Sequence, residues 1–131
     1  MRFIIEITMW KGIGTIALLF VANMFMILAW YGHIKLGTPK PFSSWGLFGV
    51  ILSSWLIAFA EYCFQVPANR LGAIDNGGPF TLMQLKIIQE VITLIVFVLF
   101  TTVFAKDEKI TLNNLWAFLC LIGAVFFTFR K

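Results

Sequence analysis

The sequence predicts an all-α integral membrane protein, a bundle of four transmembrane helices. Hydrophobic residues make up 60% of the 131-residue chain and charged residues only 12%. Soluble domains are about 45–50% apolar and about 25% charged, and so short a chain has too small an interior to hide this much apolar surface from water. The apolar residues fall into four long runs. We therefore expect residues 1–131 to form one four-span transmembrane domain.

The first predicted helix covers residues 12–31, a run without a charge. At about 1.5 Å per residue it is long enough to cross a hydrocarbon core of about 30 Å. Trp30 and, further on, Lys35 are typical of the aromatic and basic border of a span. Glu6 and Lys11 interrupt the preceding apolar stretch, so we expect a retained membrane helix rather than a cleaved signal peptide.

The second predicted helix covers residues 45–66. Ser43 or Ser44 can cap its first turn. Pro67 is expected to end or kink the helix, because proline cannot donate a backbone hydrogen bond. The segment that follows, 72–79, contains the glycines, Asp and Asn that are typical of turns.

The third and fourth predicted helices cover residues 82–104 and 115–129. Thr81 followed by Gln84 has the pattern of a capping box, which predicts a sharp beginning for the third helix. A charged loop, 106–109, separates the two helices. The four spans therefore place both termini on the same side of the membrane.

Polar and ionisable residues inside membrane spans are energetically costly, which makes them the candidates for function. Projected at 3.6 residues per turn, those of the first three helices fall on one face of each helix. We predict that these faces form one water-accessible pocket for a solute and for protons. Its candidate residues are Glu61, Glu90, Lys86, Gln65, Gln89, Asn23, Thr93 and Trp30.

The two carboxylates are the most informative members of this set. Lys86 and Glu90 are one helical turn apart and can form an ion pair. That pairing leaves Glu61 without a compensating charge, and a carboxylate in such surroundings can take up and release a proton. The structural interpretation is that Glu61 pairs with Arg70 or Lys86 and fixes helix packing, while the amides and hydroxyls join the helices by hydrogen bonds. In that interpretation Trp30 is an interfacial anchor.

Small residues mark one face of the fourth helix and let helix backbones approach closely. Packing within the chain and packing between two chains explain this face equally well. Cys63 and Cys120 lie in apolar runs, where we expect buried thiols rather than a disulfide or a metal site. The residues of the small face are Ala117, Cys120, Gly123 and Ala124.

Enzymes and nucleic-acid-binding proteins are disfavoured by what the sequence contains. It shows no nucleophile–base pattern, no metal-ligand spacing and no phosphate-binding loop, so we expect no catalysis, no metal and no cofactor. The net charge of +4 is small and spread over the loops. The expected surroundings are therefore the lipid bilayer and not nucleic acid.

Several segments, spread over nearly the whole chain, resemble a known family. They are Asn-Met-Phe-Met at 23–26, Ala-Trp-Tyr-Gly-His at 29–33, Glu-Tyr at 61–62, Gln-Val-Pro-Ala-Asn-Arg at 65–70, Leu-Lys-Ile at 85–87 and Gln-Glu-Val-Ile-Thr-Leu at 89–94. The chain is similar to the small four-helix membrane proteins of unknown function within the drug/metabolite transporter superfamily. That superfamily also contains the small multidrug resistance proteins, which are more distantly similar.

The resemblance implies a four-helix membrane fold, a homodimer and, at the level of the superfamily, transport. Small multidrug resistance proteins carry their essential glutamate in the first helix. The first span of this chain has no acidic residue, and its central polar group is Asn23. If proton coupling exists, the resemblance therefore leaves Glu61 or Glu90 to carry it.

Two functions from different classes follow from these residues. The first is a homodimeric transporter of a small polar or cationic solute, coupled to protons. The alternative is a structural or regulatory membrane subunit whose buried charges only fix helix packing. Complete pairing of the polar groups favours the subunit, and unpaired groups favour the transporter. A slight excess of basic residues on the side of the termini favours a cell membrane location with cytoplasmic termini.

Overall fold

A computed structural model describes residues 1–106 and 108–130, so Lys131 and the loop residue Asp107 lie outside it. The described chain contains four long helices and no strand. Each of the four helices is long and apolar enough to cross a membrane. The prediction of an all-α, four-span, multi-pass membrane protein is therefore confirmed.

Helix α1 extends from Arg2 to Lys35 and is longer than predicted at both ends. It comprises an α-helix over Arg2–Ile27, a π-helical turn over Leu28–Gly32 and a final α-helical turn over His33–Lys35. Its 34 residues span about 51 Å at about 1.5 Å per residue. Because the hydrocarbon core is about 30 Å thick, α1 must tilt or extend into the interface.

Helix α2 covers Gly46–Gly72 and contains Pro67. The prediction that the helix ends near Val66 is therefore wrong. Proline removes one backbone donor, the one that would reach the carbonyl of Cys63, while the helical hydrogen bonds resume after it. The last turn is closed by the Ala73 amide, which donates to the Asn69 carbonyl at 3.0 Å.

The beginning of α2 also differs from expectation. A 3₁₀ turn over Phe42–Trp45 leads into the helix, and Trp45 is the N-cap residue without a side-chain hydrogen bond. The Ser44 hydroxyl instead donates to the Pro41 carbonyl at 2.9 Å. Capping by Ser43 or Ser44 was therefore a wrong prediction, because the serines are used within the preceding turn.

Helices α3 (Leu82–Phe104) and α4 (Leu112–Phe129) lie close to their predicted positions. The capping box is present: the Thr81 hydroxyl accepts from the Gln84 amide at 3.2 Å, and the Thr81 amide donates to the Gln84 side chain at 3.0 Å. Helix α4 begins three residues earlier than expected, because Thr111 caps it by accepting from the amide of Asn114 at 3.4 Å.

Helix α1 is the centre of the packing, with α2 and α3 both packed against it and α4 packed on α3. The apolar core comes from α1, α2 and α3, and α4 contributes no buried residue to it. All four helices belong to the bundle. Three of them make its core, and the fourth packs on α3 outside that core. The core residues are Leu19, Ile27, Ala68, Ile92, Val96 and Phe100.

The register of the helices is fixed by the close approach at Gly72 and by one pair of stacked rings. A side chain at Gly72 would meet both Thr15 and Leu85, so the end of α2 touches α1 and α3 at one level. Further along, the rings of Phe25 and Phe64 stack with centroids 5.5 Å apart. Helix α2 is thus antiparallel to α1, as expected for consecutive spans.

Gly72 is required by this close approach, and its replacement by alanine should destabilise the fold. The new Cβ would lie 2.6 Å from Thr15 Cγ2 and 2.8 Å from Thr15 Oγ1. Overpacking of this kind typically costs about 1–3 kcal/mol. We expect Gly72→Ala to lower the free energy of unfolding by this amount, measured by denaturation in detergent, and Thr15→Ala to restore part of it.

The matched control is Gly32→Ala on α1, where an added Cβ meets only Leu28, at the ordinary contact distances of 3.8 and 3.9 Å. This variant should unfold like the wild type. If Gly72→Ala also left the free energy of unfolding unchanged, the close approach of the three helices would be wrong.

Candidate functional site

Asn23 and Thr93 join α1 to α3 inside the membrane. Asn23 is only 2% exposed, and its side-chain oxygen accepts a hydrogen bond from the Thr93 hydroxyl. The Asn23 amide donates to the Leu19 carbonyl of its own helix at 2.7 Å. The Thr93 hydroxyl also lies 2.7 Å from the Gln89 carbonyl. A hydroxyl has one proton, so the two acceptors compete for it.

A cleft of about 190 Å³ opens beside this pair. Its polar lining includes Glu90 and Thr93 of α3, and its aromatic lining includes Trp30 and Tyr31 of α1 together with Phe97. The ring centroids of Tyr31 and Phe97 are 5.3 Å apart, and Trp30 stands almost perpendicular to Tyr31. The cleft therefore combines one carboxylate with three aromatic side chains.

Lys86 pairs with the cleft carboxylate. Its Nζ lies 2.6 Å from Oε1 of Glu90, which confirms the predicted ion pair. The side chains are 64% and 47% exposed, so the pair lies on the surface of α3 and not in the bundle interior. Breaking this pair should therefore cost much less than the several kcal/mol that are typical of a buried pair.

Glu61 and Gln65 have different surroundings from Glu90. They are 1% and 7% exposed and lie one turn apart on the buried face of α2. Among the described residues, Glu61 Oε2 and Gln65 Oε1 have no hydrogen-bond partner. Glu61 lies about 16 Å from the C-terminal end of α2 at about 1.5 Å per residue, which is close to the middle of the helix. A helix that ended at residue 66 would have placed Glu61 nearer the membrane surface.

The predicted single pocket is therefore divided into two sites. Glu90, Thr93 and Trp30 line the cleft, with Lys86 bound to Glu90 and Asn23 bound to Thr93. Glu61 and Gln65 are not part of its lining. In the described chain Glu61 forms no ion pair with Arg70 or Lys86, so the proposed structural pairing is not seen. Gln89 is half-buried and contributes its backbone carbonyl to Thr93.

Residues 15–129 match a family described as "Putative member of DMT superfamily (DUF486)". The chain belongs to this family. The match begins within α1 and includes all of α2 and α3 and α4 to its last residue, which confirms the resemblance indicated by the sequence segments. Comparisons with curated proteins and with solved structures gave no match.

For this member of the family, five residues that line the cleft were not among the predicted site residues: Ile27, Tyr31, Leu94, Phe97 and Leu121. Tyr31 was assigned to the membrane border, because α1 was expected to end there, but the helix continues to Lys35. Phe97 shares a helical face with Glu90 and Thr93, and that spacing was the available signal. Leu121 adds a contact from α4, which no sequence pattern indicated.

The small-residue face of α4 is not packed within the chain. Ala117 and Cys120 are exposed, Gly123 and Ala124 are half-exposed, and a side chain at Gly123 would meet only open space. Cys63 is exposed as well, so the prediction of two buried thiols is wrong. An apolar run in a membrane helix can face lipid instead of a protein core.

The Asn23–Thr93 bond should contribute measurably to stability. Thr93→Val keeps the shape of the side chain but leaves the Asn23 oxygen without its donor. Hydrogen bonds between membrane helices average about 0.6 kcal/mol and reach about 1.7 kcal/mol. We expect Thr93→Val to lower the free energy of unfolding within this range, measured by denaturation in mixed micelles.

Thr102→Val is the control for this change. Thr102 is exposed and its hydroxyl donates to the Val98 carbonyl of its own helix at 2.7 Å. Equal effects of the two substitutions would mean that the bond between the helices contributes nothing.

Proposed function

We propose that the protein is a homodimeric transporter that moves a small organic cation across the cell membrane in exchange for protons. The observation that carries the proposal is the cleft in which the Glu90 carboxylate lies among Trp30, Tyr31 and Phe97. A carboxylate within a membrane span is costly, and the faces of aromatic rings attract cations. Both features favour a positively charged solute.

The size of the cleft limits the solute. Pockets that enclose drug-sized molecules have volumes of about 300–1,000 Å³, whereas this cleft measures about 190 Å³. A cation with few heavy atoms fits such a volume. Family membership supports transport, because the description of the family refers to the drug/metabolite transporter superfamily.

Lys86 acts in this proposal as a built-in competitor for Glu90. The ammonium group occupies the carboxylate at 2.6 Å, so an arriving cation must replace it. The long lysine side chain can extend toward the membrane surface, which lets Glu90 exchange one positive partner for another. The site then carries no unpaired charge in either state.

The pattern of pairing supports transport over the alternative of a structural subunit. A subunit whose polar groups only fix helix packing is expected to pair all of them. Asn23 with Thr93 and Lys86 with Glu90 are paired in this way. Glu61 and Gln65 keep buried oxygen atoms without partners among the described residues, and Glu61 is therefore the candidate for proton coupling.

The homodimer is supported by the position of α4. This helix packs mainly on α3 among the long helices and buries none of its own residues. Cys120 is exposed and an added Cβ at Gly123 would meet no atom of the described chain within 4 Å, so the backbone of a second copy can approach closely there. We place the dimer contact on this outer face of α4.

Removal of the Glu90 charge should abolish cation transport. In proteoliposomes with an imposed pH gradient, we expect the wild type to take up radiolabelled tetramethylammonium or choline, permanent cations that cannot cross lipid as neutral amines. Glu90→Gln should lower uptake at least about tenfold, which corresponds to about 1.4 kcal/mol. Lys86→Met should lower KM, because the competing ammonium is gone.

Glu6→Gln is the matched control, since this carboxylate is exposed near the N-terminus and pairs with Arg2. Its uptake should equal that of the wild type. Wild-type protein that moves neither cation, together with a Glu90→Gln variant that melts well below it, would contradict transport and support the structural subunit.

The native cysteines can test the dimer contact. Cys120 lies at the middle of α4, eight residues after Leu112 and nine before Phe129, so two copies bring it together in parallel or antiparallel packing. Mild oxidation in native membranes should give a disulfide-linked dimer. Cys120→Ser should eliminate the dimer band and Cys63→Ser should leave it unchanged. Cross-linking through Cys63 would contradict the α4 interface.

A further inference from the structure

Two buried oxygen atoms on α2 share an unusual situation. Glu61 Oε2 and Gln65 Oε1 each expose less than 1 Å² and lack a hydrogen-bond partner among the described residues. The residues are four apart on one helical face, where side chains are neighbours. Both atoms are acceptors when Glu61 is charged, so neither can satisfy the other in that state.

The neighbouring helices offer no charge to compensate Glu61. Between Gly12 and Tyr31, α1 has no charged residue, and Asn23 already uses its oxygen for Thr93 and its amide for Leu19. On α3 the charged groups are Lys86 and Glu90, which pair with each other on the exposed surface. The only titratable residues of α2 near Glu61 are Tyr62 and Cys63, and both are exposed.

We propose that Glu61 carries a proton and donates it in a hydrogen bond to Gln65 Oε1. One proton turns one of the two acceptors into a donor and satisfies both oxygens. Gln65 is thus the positioning residue of a proton site formed by one turn of α2.

The amide of Gln65 can serve both protonation states of Glu61. Its oxygen accepts from the protonated carboxyl, and after a half-turn of the amide its NH₂ group donates to the carboxylate. The loss of the proton is thereby accompanied by a local rearrangement, without a second charged residue. The inference refines the proton-coupled transport proposed above, although the hydrogen bond itself exists independently of any solute.

Infrared spectroscopy of the protein in lipid at neutral pH tests the proton site without a transport assay. The wild type should show the carbonyl stretch of a protonated carboxyl group, and Glu61→Gln should remove that band. Gln65→Leu should keep the band but move it to higher wavenumber, because the hydrogen bond to the carbonyl-bearing amide is lost. Gln89→Leu, which changes an amide on α3, is the control and should leave the band unmoved.

Stability supplies a second measurement, because glutamine is a neutral mimic of protonated glutamate. Glu61→Gln should unfold at the same denaturant concentration as the wild type, because it keeps the shape and the hydrogen bonding of the protonated carboxyl group. The inference would be overturned if the wild type lacked the band of the protonated carboxyl group, or if Gln65→Leu left that band at the same wavenumber. If the band behaves as expected but no cation is transported, the proton site stands and the proposed function fails.

Discussion

Hydrocarbon offers no hydrogen-bond partner, so every polar side chain within the spans must find one inside the protein. Hydroxyl groups solve this locally: Thr15 donates to the carbonyl of Lys11 at 2.7 Å, one turn back in its own helix. Asn23 needs a second helix and takes Thr93. The charges of Lys86 and Glu90 cancel on the surface of α3. Among the described residues, the buried side-chain oxygens left without a partner are Glu61 Oε2 and Gln65 Oε1, and the proposed proton on Glu61 would satisfy both.

Helix α1 separates the two sites and also connects them. Its buried face packs against α2, which carries Glu61, and its Asn23 holds Thr93 at the edge of the cleft. A displacement of α2 relative to α1 would therefore reach the cleft through a single hydrogen bond. Trp30 and Tyr31 extend this connection, because they belong to α1 and line the cleft directly. In the proposed exchange of cations for protons, α1 is thus the helix in contact with both α2 and the cleft beside α3.

Interactions within one turn of helix were predictable from the sequence, and those that depend on a neighbouring helix were not. The capping box of Thr81 and the ion pair of Lys86 follow from spacing alone. The helical faces were also correct, since Glu90, Thr93 and Phe97 share the cleft. The neighbours were predicted in part: Trp30 of α1 lies beside Glu90 and Thr93, whereas Glu61 and Gln65 lie outside the cleft. Periodicity gives the face of a helix but does not show which helix packs against it. The exposed Cys120 illustrates the same limit, since lipid and a protein core favour the same apolar residues.

The central position of α1 determines when the core of the protein can form during synthesis. This helix leaves the ribosome before the other three, yet it is the helix with the largest buried share. Until α2 and α3 have been made, the faces of Thr15 and Asn23 have only lipid or the insertion machinery beside them. Asn23 receives its partner only when residue 93 has entered the membrane. The chain therefore completes its core late in translation, and α4, which adds nothing to that core, is inserted after the core is already defined.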